Sequence, residues 1–312
     1  MIPEFDLIRE LVRELPKKLQ GKIGIGDDAG ILHSGAGPEI VFSTDAIVED
    51  VDFRMKKTRP GWVGRKALAI NLSDMAAMGA RPLAFVIALG ISPRVSLDWI
   101  KRFYRGLTPL MRRYGLECLG GDVSRSKTFF ASVSIIGKCR KGKTVLRSGA
   151  RPGDWIGVTG CLGGSILRHQ FLFTPRVDEA TYLAENFSLS SLIDISDGLA
   201  QDLVHILKSS RVSASVDTVK IPVSRDAVKL SKNRHAAALH HALTDGEDFE
   251  LLFTVSGREQ IKINRAWKKR FPAVPLSWIG RIQKGKPHIH WIRESERIPS
   301  PLVSRAKGFV HF

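Results

Sequence analysis

The sequence is poor in cysteine and contains no long apolar run. None of its hydrophobic stretches approaches the roughly 20 residues that a membrane-spanning helix requires, so we expect no transmembrane segment. Cys118, Cys139 and Cys161 are odd in number and lack the spacing of metal ligands, which favours reduced thiols in a cytoplasmic protein. Tandem repeats and low-complexity segments are also missing. What remains, in 312 residues, is a globular chain long enough for two domains.

Acidic residues are few relative to basic ones. The 31 Asp and Glu residues face 48 Lys and Arg residues, which gives a formal net charge of +17. Such a charge attracts nucleic acids, acidic membranes and phosphate-bearing metabolites. The basic residues are, however, spread along the chain, and we find neither a nucleic-acid-binding motif nor aromatic residues interleaved with a basic stripe. General surface composition therefore explains the charge better than a nucleic-acid site does.

Apolar runs rich in β-branched residues alternate with helical patterns, which predicts an α/β (or α+β) fold. The segment Lys138–Gly153 concentrates charge, glycine and proline, so the expected domains are residues 1–140 and 150–312. The second is expected to open at Gly157–Ser165 with a strand, a glycine loop and a helix. The predicted strands are Ile40–Thr44, Leu83–Leu89, Phe129–Ile136, Trp155–Val158, Phe249–Val255, Leu276–Ile279 and His288–Trp291. The predicted helices are Trp62–Met78, Ser96–Tyr114, Leu199–Lys208 and Arg258–Arg270.

One segment, Gly137–Thr144, fits the phosphate-binding P-loop pattern letter for letter. That loop works only if a helix follows at once, because the helix N-terminus and its N–H groups hold the phosphates. Here the next residues are VLRSGARPGD, whose glycines and proline are incompatible with a long helix. We therefore predict a hairpin turn at Lys141–Lys143 between two strands.

A second segment, GIGDDA at residues 24–29, resembles the glycine fingerprint of dinucleotide-binding folds. In that fold Asp27 and Asp28 would face the pyrophosphate, and the following GILHSGAGPE could not form the crossover helix. Like charges this close repel each other unless a cation lies between them. The pattern therefore favours a metal site over a dinucleotide site.

Acidic residues recur where apolar runs end, flanked by Gly, Ser or Thr. Carboxylates in such places can converge on one cleft, where Mg²⁺ would neutralise them. Any one of them could instead be a turn residue or a helix N-cap. Asp74 is more informative, because a lone buried carboxylate is costly and a helix would project it together with Asn71. The contexts are Gly26-Asp27-Asp28, Ser43-Thr44-Asp45, Asn71-Leu72-Ser73-Asp74, Gly120-Gly121-Asp122 and Asp194-Ile195-Ser196-Asp197-Gly198.

Taken in order, these motifs resemble thiamine-monophosphate kinases, members of the family that also contains aminoimidazole ribonucleotide synthetase and selenophosphate synthetase. The resemblance runs from Ile25 to Phe312. Each piece is short, but their order and spacing over most of the chain are specific. The motifs are GIGDDAG, FSTDAIVEDVDF, ALAINLSDMAAMGARP, FYRGL, LGGDVSRS, RSGARPGD, DISDGLAQDL, DGEDFELLF and GFVHF.

The resemblance implies in-line transfer of the γ-phosphoryl group of ATP to thiamine monophosphate, giving thiamine diphosphate and ADP. Several Mg²⁺ ions would hold the two polyanions. The acceptor is a phosphate oxygen that is already ionised, so no strong general base is required, and the transfer is expected to be direct, without a phosphoenzyme. It also implies a two-domain fold of the aminoimidazole ribonucleotide synthetase type, in which N-terminal domains pair in a homodimer beside C-terminal α/β domains. By similarity, the metal shell would be Asp27, Ser43, Thr44, Asp45, Asp74, Asp122, Asp194 and Asp197. The ATP contacts would be Tyr104, Gly121, Arg147 and Ser196, and Glu247 would contact the substrate.

Three positions depart from the pattern of these kinases. Asp52 replaces a substrate-contacting His, Phe309 replaces a Trp near the C-terminus, and Asp245 replaces a Gly. We hypothesise that Asp52 contacts the substrate, in attraction to its thiazolium cation, and that Phe309 stacks with a smaller face. Two alternatives stay open: a related Mg²⁺- and ATP-dependent synthetase that acts on another small acceptor, and a non-catalytic basic protein that binds nucleic acid.

Overall fold

The computed structural model describes residues 4–14, 26–33, 37–293 and 296–297. The first range is α1 (Glu4–Glu14), an amphipathic helix. Two separate sheets follow it along the chain. No helix in these ranges combines the length and apolarity needed to cross a bilayer. Phe309 lies outside the described residues.

The first sheet has five strands, which are β1 (Gly30–His33), β2 (Glu39–Val48), β3 (Arg81–Ile91), β4 (Glu117–Arg125) and β5 (Phe130–Cys139). Their order is β1-β2-β5-β3-β4, and among the strands of the described residues only β3 and β4 pair in parallel. Two helices, α2 (Pro60–Ala77) and α3 (Leu97–Tyr114), connect β2 to β3 and β3 to β4. The first turn of α3 is capped, because Ser96 Oγ accepts the Trp99 N–H at 3.2 Å.

The second sheet has the order β12-β11-β8-β10-β6-β9-β7 among the described residues, and its only parallel pair there is β8 with β11. Its strands are β6 (Trp155–Thr159), β7 (Leu189–Asp194), β8 (Ser213–Asp217), β9 (Leu251–Val255), β10 (Leu276–Gln283), β11 (Ile289–Arg293) and β12 (Glu296–Arg297). The helices of this part are α4 (His169–Leu172), α5 (Val177–Asn186), α6 (Leu199–Ser210), α7 (Arg225–Leu230), α8 (His235–Thr244) and α9 (Gly257–Arg270).

All seven predicted strands and all four predicted helices overlap elements of the structure. The mixed α/β fold is therefore confirmed. Elements that the sequence pattern did not indicate include β4, whose residues ECLGGDVSR are all exposed. A strand with no buried face shows no apolar alternation, so periodicity cannot detect it.

Two local predictions are wrong. A turn follows β5 as expected, but no strand pairs back after Lys143; instead the Val145 N–H donates to Met78 O and the Leu192 N–H donates to Leu146 O. These hydrogen bonds hold the segment that contains Val145 and Leu146 between the end of α2 and β7. It therefore does not pair back with β5 to form a hairpin. The helix expected after the glycine loop is reduced to a 3₁₀ turn, Ser165–Leu167, followed by the single-turn α4 (His169–Leu172).

Helix α2 is the element that places the site. Most of its residues are buried rather than one face alone, because it contacts α3, α5, β2 and β7. Two glycines permit this packing: a Cβ on Gly64 would lie 2.0 Å from Phe103 O, and one on Gly106 would lie 2.0 Å from Gly61 O. The polar residues of α2 therefore face other elements of the protein rather than solvent.

Candidate active site

Two polar residues of α2 bind neighbouring residues of β2. Asn71 Oδ1 accepts the Asp45 N–H at 3.1 Å, and Ser43 Oγ donates to Asp74 Oδ2 at 2.5 Å. Asn71 is itself oriented by its Nδ2, which donates to Ala67 O at 2.9 Å within the helix. Asn71 and Asp74 project together, as their spacing of three residues predicts, and both contact β2.

The next residue of the site comes from the second sheet. Asp194 is the last residue of β7 and is 3% exposed. Its Oδ2 accepts a hydrogen bond from Ser73 Oγ at 2.5 Å. Ser73 and Asp74 are adjacent in α2, so one short stretch of helix contacts acidic or hydroxyl groups from both sheets.

Arg147 approaches the same place from the segment after β5. Its Nε and Nη2 donate to Asp28 Oδ2 at 3.1 Å and Asp28 Oδ1 at 2.5 Å, which is a bidentate ion pair. Its backbone N–H donates to Asp27 Oδ1 at 3.1 Å. The Asp28 side chain is 3% exposed and that of Arg147 is 16% exposed. The motif resemblance assigns Asp27 to the metal shell, whereas Asp28 makes the buried ion pair.

Asp28, Asp74 and Asp194 form one group, in which each offers a carboxylate oxygen within 4.8 Å of the others. Burial, followed by repulsion from Asp28, raises the pKa of Asp194 to about 7. Burial, with Asp45 and Asp194 nearby, also raises the pKa of Asp74 well above its usual value. A hard divalent cation would relieve this repulsion, and an all-oxygen donor set of carboxylates and hydroxyls suits Mg²⁺. The residues therefore fit the metal that the motifs imply.

A second group lies at the start of α6. Asp197, Asp202 and His205 have ligand atoms within 4.8 Å of one another. Asp202 Oδ2 accepts the Asp197 N–H at 3.1 Å, and burial with the charges of Arg147 and Lys208 lowers the pKa of His205 to about 4. Sequence reasoning identified Asp197 and missed the other two. The spacing of three residues between Asp202 and His205 on a predicted helix was the available signal.

The two described substrate candidates, Asp52 and Glu247, come from different halves of the chain. Asp52 Oδ2 accepts the Val48 N–H at 2.7 Å, so the side chain stabilises the turn that carries it. Glu247 forms an ion pair with Lys66, and its backbone N–H donates to Ser196 O at 2.7 Å. Ser196, an expected ATP contact, is therefore joined to the loop that carries Glu247.

Thr44 is turned away from these groups. It lies between Ser43 and Asp45 on β2, and successive side chains of a strand point to opposite faces. Its Oγ1 accordingly donates to Val133 O at 3.1 Å and bonds Ser134 Oγ at 2.9 Å, both on β5. In this structure the hydroxyl of Ser43, and not that of Thr44, reaches the buried carboxylates.

Three further predicted residues lie on or near the edge strand β4. Asp122 is exposed and accepts a hydrogen bond from Ser124 Oγ at 3.0 Å. Gly121 meets β3 so closely that a Cβ would lie 1.8 Å from Ile87 O. Tyr104 of α3 is 38% exposed, and burial together with the neighbouring Cys118 raises the pKa of its hydroxyl. These residues stand outside the buried group of three carboxylates.

Residues 26–139 match the family described as AIR synthase related protein, N-terminal domain. A thiamine-monophosphate kinase of Rhodopirellula baltica is 34% identical over 97% of this chain and 95% of its own length. The crystal structure of thiamine-monophosphate kinase from Stenotrophomonas maltophilia is 32% identical with a TM-score of 0.76, covering 94% of this chain and 96% of that one. A structure described as AaThiL complexed with AMPPCP and TMP has a TM-score of 0.81 and 27% identity, covering 99% and 97% of the two chains. The chain therefore belongs to the thiamine-monophosphate kinase family.

Proposed function

We propose that the protein transfers the γ-phosphoryl group of ATP to thiamine monophosphate, giving thiamine diphosphate and ADP. The observation that carries this proposal is the group formed by Asp28, Asp74 and Asp194. Three segments that are far apart in sequence bring these carboxylates to within 4.8 Å, where they are costly without a bound cation. The same family includes a protein solved with AMPPCP and TMP, which supports a nucleotide and a phosphorylated acceptor for this chain as well.

The proposed metal is Mg²⁺, which when bound supplies charge neutralisation between two polyanions. Asp74 and Asp194 would hold it, with Asp28 available once Arg147 turns to a phosphate group. Ser43 and Ser73 orient the two buried carboxylates through their hydroxyl hydrogens. The other residues proposed for the metal shell, from the motif resemblance, are Asp27, Ser43, Thr44, Asp45, Asp122 and Asp197.

The side chains of this site bind and orient the reactants. Arg147 presents a planar guanidinium that can bind two phosphate oxygens as it now binds two carboxylate oxygens. The acceptor is a phosphate oxygen that is already ionised, so positioning and charge neutralisation account for the chemistry and no general base is assigned. Tyr104, Gly121 and Ser196 are proposed to contact ATP, and Asp52, Glu247 and Phe309 to contact the acceptor.

The proposal extends to the organisation of the protein. We assign residues 1–140 to an N-terminal domain that binds ATP and metal and forms a homodimer, and residues 150–312 to a C-terminal domain that completes the acceptor site. We also propose a cytoplasmic location, which the free cysteines Cys118, Cys139 and Cys161 support, because thiols stay reduced there.

The direct test is to incubate purified protein with ATP, Mg²⁺ and thiamine monophosphate and to detect thiamine diphosphate by chromatography. We expect product that depends on all three components. If ATP is consumed only with another small acceptor, the synthetase alternative is correct. Tight, salt-sensitive binding of RNA or DNA without any ATP turnover would instead support the nucleic-acid-binding alternative.

A further inference from the structure

Lys66 of α2 is a buried lysine in the middle of the molecule. It is 1% exposed, although lysine is almost never buried unless it is paired. Its Nζ donates to Asp52 O at 3.3 Å, to Gln170 Oε1 at 3.2 Å and to Glu247 Oε1. An ammonium group has three donors, so these three contacts use all of them. The Nζ also lies 5.2 Å from the centroid of the Phe171 ring.

The three acceptors belong to three separate segments. Asp52 is in the turn after β2, Gln170 is in α4, and Glu247 is in the loop before β9. Two of them, Asp52 and Glu247, are among the residues that are proposed above to contact the acceptor. One ammonium group therefore joins the two acceptor-contacting segments, which lie in different halves of the chain.

Glu247 is held tightly at its backbone and by one ion pair at its side chain. Its φ of 54° is in the left-handed region, and its N–H is fixed on Ser196 O. The preceding Gly246 packs so closely that a Cβ would lie 2.6 Å from that same oxygen. The Glu247 side chain is 24% exposed, while that of Lys66 is 2% exposed. The carboxylate thus has access to solvent, and its bond to Lys66 keeps it directed inward.

We infer that Lys66 is a positioning residue for the acceptor: it fixes the direction of the Glu247 carboxylate and the turn at Asp52 without touching the substrate. This inference rests on the proposed function. It goes beyond a structural role for Lys66. Removing one partner of an ion pair is most costly when the other charge stays buried, and Glu247 is exposed enough to be solvated without Lys66. Methionine at position 66 would pack among the apolar neighbours of α2, and the partly exposed Glu247 would then turn toward water.

The test measures both Michaelis constants, the kcat and the melting temperature of Lys66→Met. We expect the KM for thiamine monophosphate to rise at least about tenfold, equivalent to about 1.4 kcal/mol, with the KM for ATP nearly unchanged. The melting temperature should also fall, because Asp52 O and Gln170 Oε1 lose a donor. Glu247→Gln is expected to raise the same KM. The losses in the double variant should be less than additive, since both changes act on the Glu247 carboxylate; any loss beyond Glu247→Gln alone reports the contact of Lys66 with Asp52 O.

The matched control is Arg113→Met. It removes another ion pair between the two halves, Arg113 with Asp178 at 3.1 Å, which joins α3 to α5 and contacts neither Asp52 nor Glu247. We expect both of its Michaelis constants to stay within about twofold of the unsubstituted protein, because exposed ion pairs contribute little. If Lys66→Met does not fold, Lys66→Gln, which keeps a polar end group, replaces it in every measurement.

The outcomes distinguish a failure of the proposed function from a failure of the inference about Lys66. An unsubstituted protein that makes no thiamine diphosphate overturns the proposed function and this inference together. If that protein is active while the Lys66 variant keeps its KM for thiamine monophosphate, the inference alone is overturned. It is also overturned if the variant loses only kcat or melting temperature, or if the double variant shows additive losses, since a purely structural residue would behave in that way.

Discussion

The buried carboxylates of the site are each held by a group of a different kind. Asp28 binds a guanidinium, whereas Asp74 and Asp194 accept hydrogen bonds from the serine hydroxyls of Ser43 and Ser73. A hydroxyl stabilises a carboxylate without cancelling its charge, so the negative charge of this pair remains available to a cation. The residues are thereby arranged for binding at a cost in stability, as is common at functional sites.

Asp74→Asn should separate the effect of the buried charge on stability from its effect on metal binding. The amide removes one of three mutually repelling charges and can still accept the Ser43 hydrogen bond. We expect the metal-free variant to melt at least about 2 °C higher than the unsubstituted protein at pH 8, and Mg²⁺-dependent turnover to fall at least about 100-fold. Calorimetry and a coupled ADP assay would measure the two quantities. A variant that melts lower and stays active would contradict this account of the site.

The same repulsion predicts a dependence on pH. The folded-state pKa values of about 7 for Asp194 and about 6 for Asp27 lie above the ordinary value of 3.8, with burial as the first cause of each. The folded protein therefore binds more protons than the unfolded chain between about pH 4 and 7, and these groups reduce its stability as the pH rises through that range.

Protons and Mg²⁺ compete for these carboxylates, so we expect Mg²⁺ to raise the melting temperature more at pH 8 than at pH 5.5. His205, whose pKa is lowered to about 4, acts in the opposite direction in the metal-free protein. His205 affects the melting temperature both with and without Mg²⁺. Comparing the two melting temperatures at the same pH therefore reduces its contribution to their difference. If Mg²⁺ raised the melting temperature equally at pH 5.5 and pH 8, this would count against metal binding by the carboxylates whose pKa is raised.

Of the three carboxylates that the structure brings together, the sequence motifs predict Asp74 and Asp194, but they do not assign each side chain within a motif. In GDDAG the motif resemblance favoured Asp27, yet Asp28 makes the buried ion pair, because the direction of each side chain depends on how the backbone enters β1. Lys66 looked like an ordinary charged residue of a helix. Its role is visible only after folding brings Glu247, 181 residues later in the chain, to its ammonium group.

Among the elements, α2 shows the strongest link between packing and the site. Gly61, Gly64 and Gly106 let α2 and α3 approach at backbone distance. The polar residues of α2 reach partners on β2 and β7. Periodicity predicted both helices, since each is long and well delimited. It could not predict that α2 would be buried on nearly all sides, because that burial depends on contacts with α5 and β7 from the other half of the chain.

Gly64→Ala is therefore expected to be strongly destabilising. The added methyl group would meet Phe103 O at 2.0 Å, which forces the helices apart and costs about 1–3 kcal/mol in free energy of unfolding. Activity should fall as well, because Asn71 and Asp74 move with the helix. Urea denaturation would measure the change, with Gly257→Ala in α9 as the control, since a Cβ there makes only ordinary contacts, the nearest at 3.7 Å. Equal stability of the two variants would contradict the role of this helix contact.

At the scale of the whole molecule, the outer edge of the first sheet is unusual. Every residue of β4 is exposed, including Leu119 at 62% and Val123 at 65%. Among the described residues, β4 ends the sheet with no strand on its other side. Natural proteins normally protect a long edge strand, and an exposed apolar one is a surface for pairing with another chain. The expected ATP contact Gly121 and the expected metal ligand Asp122 lie on this same strand.

These features lead us to predict a homodimer that forms through β4, with a mass of two chains of 34.6 kDa. Leu119→Asp places a charge in the paired surface and should give a monomer in sedimentation equilibrium, because a buried unpaired charge is costly. Turnover should fall in parallel, since Gly121 and Asp122 depend on the same strand for their position. Ile261→Asp on α9, where the original side chain is 54% exposed, is the matched control and should remain dimeric and active. A monomeric unsubstituted protein, or a dimeric Leu119→Asp variant, would contradict a homodimer that forms through β4.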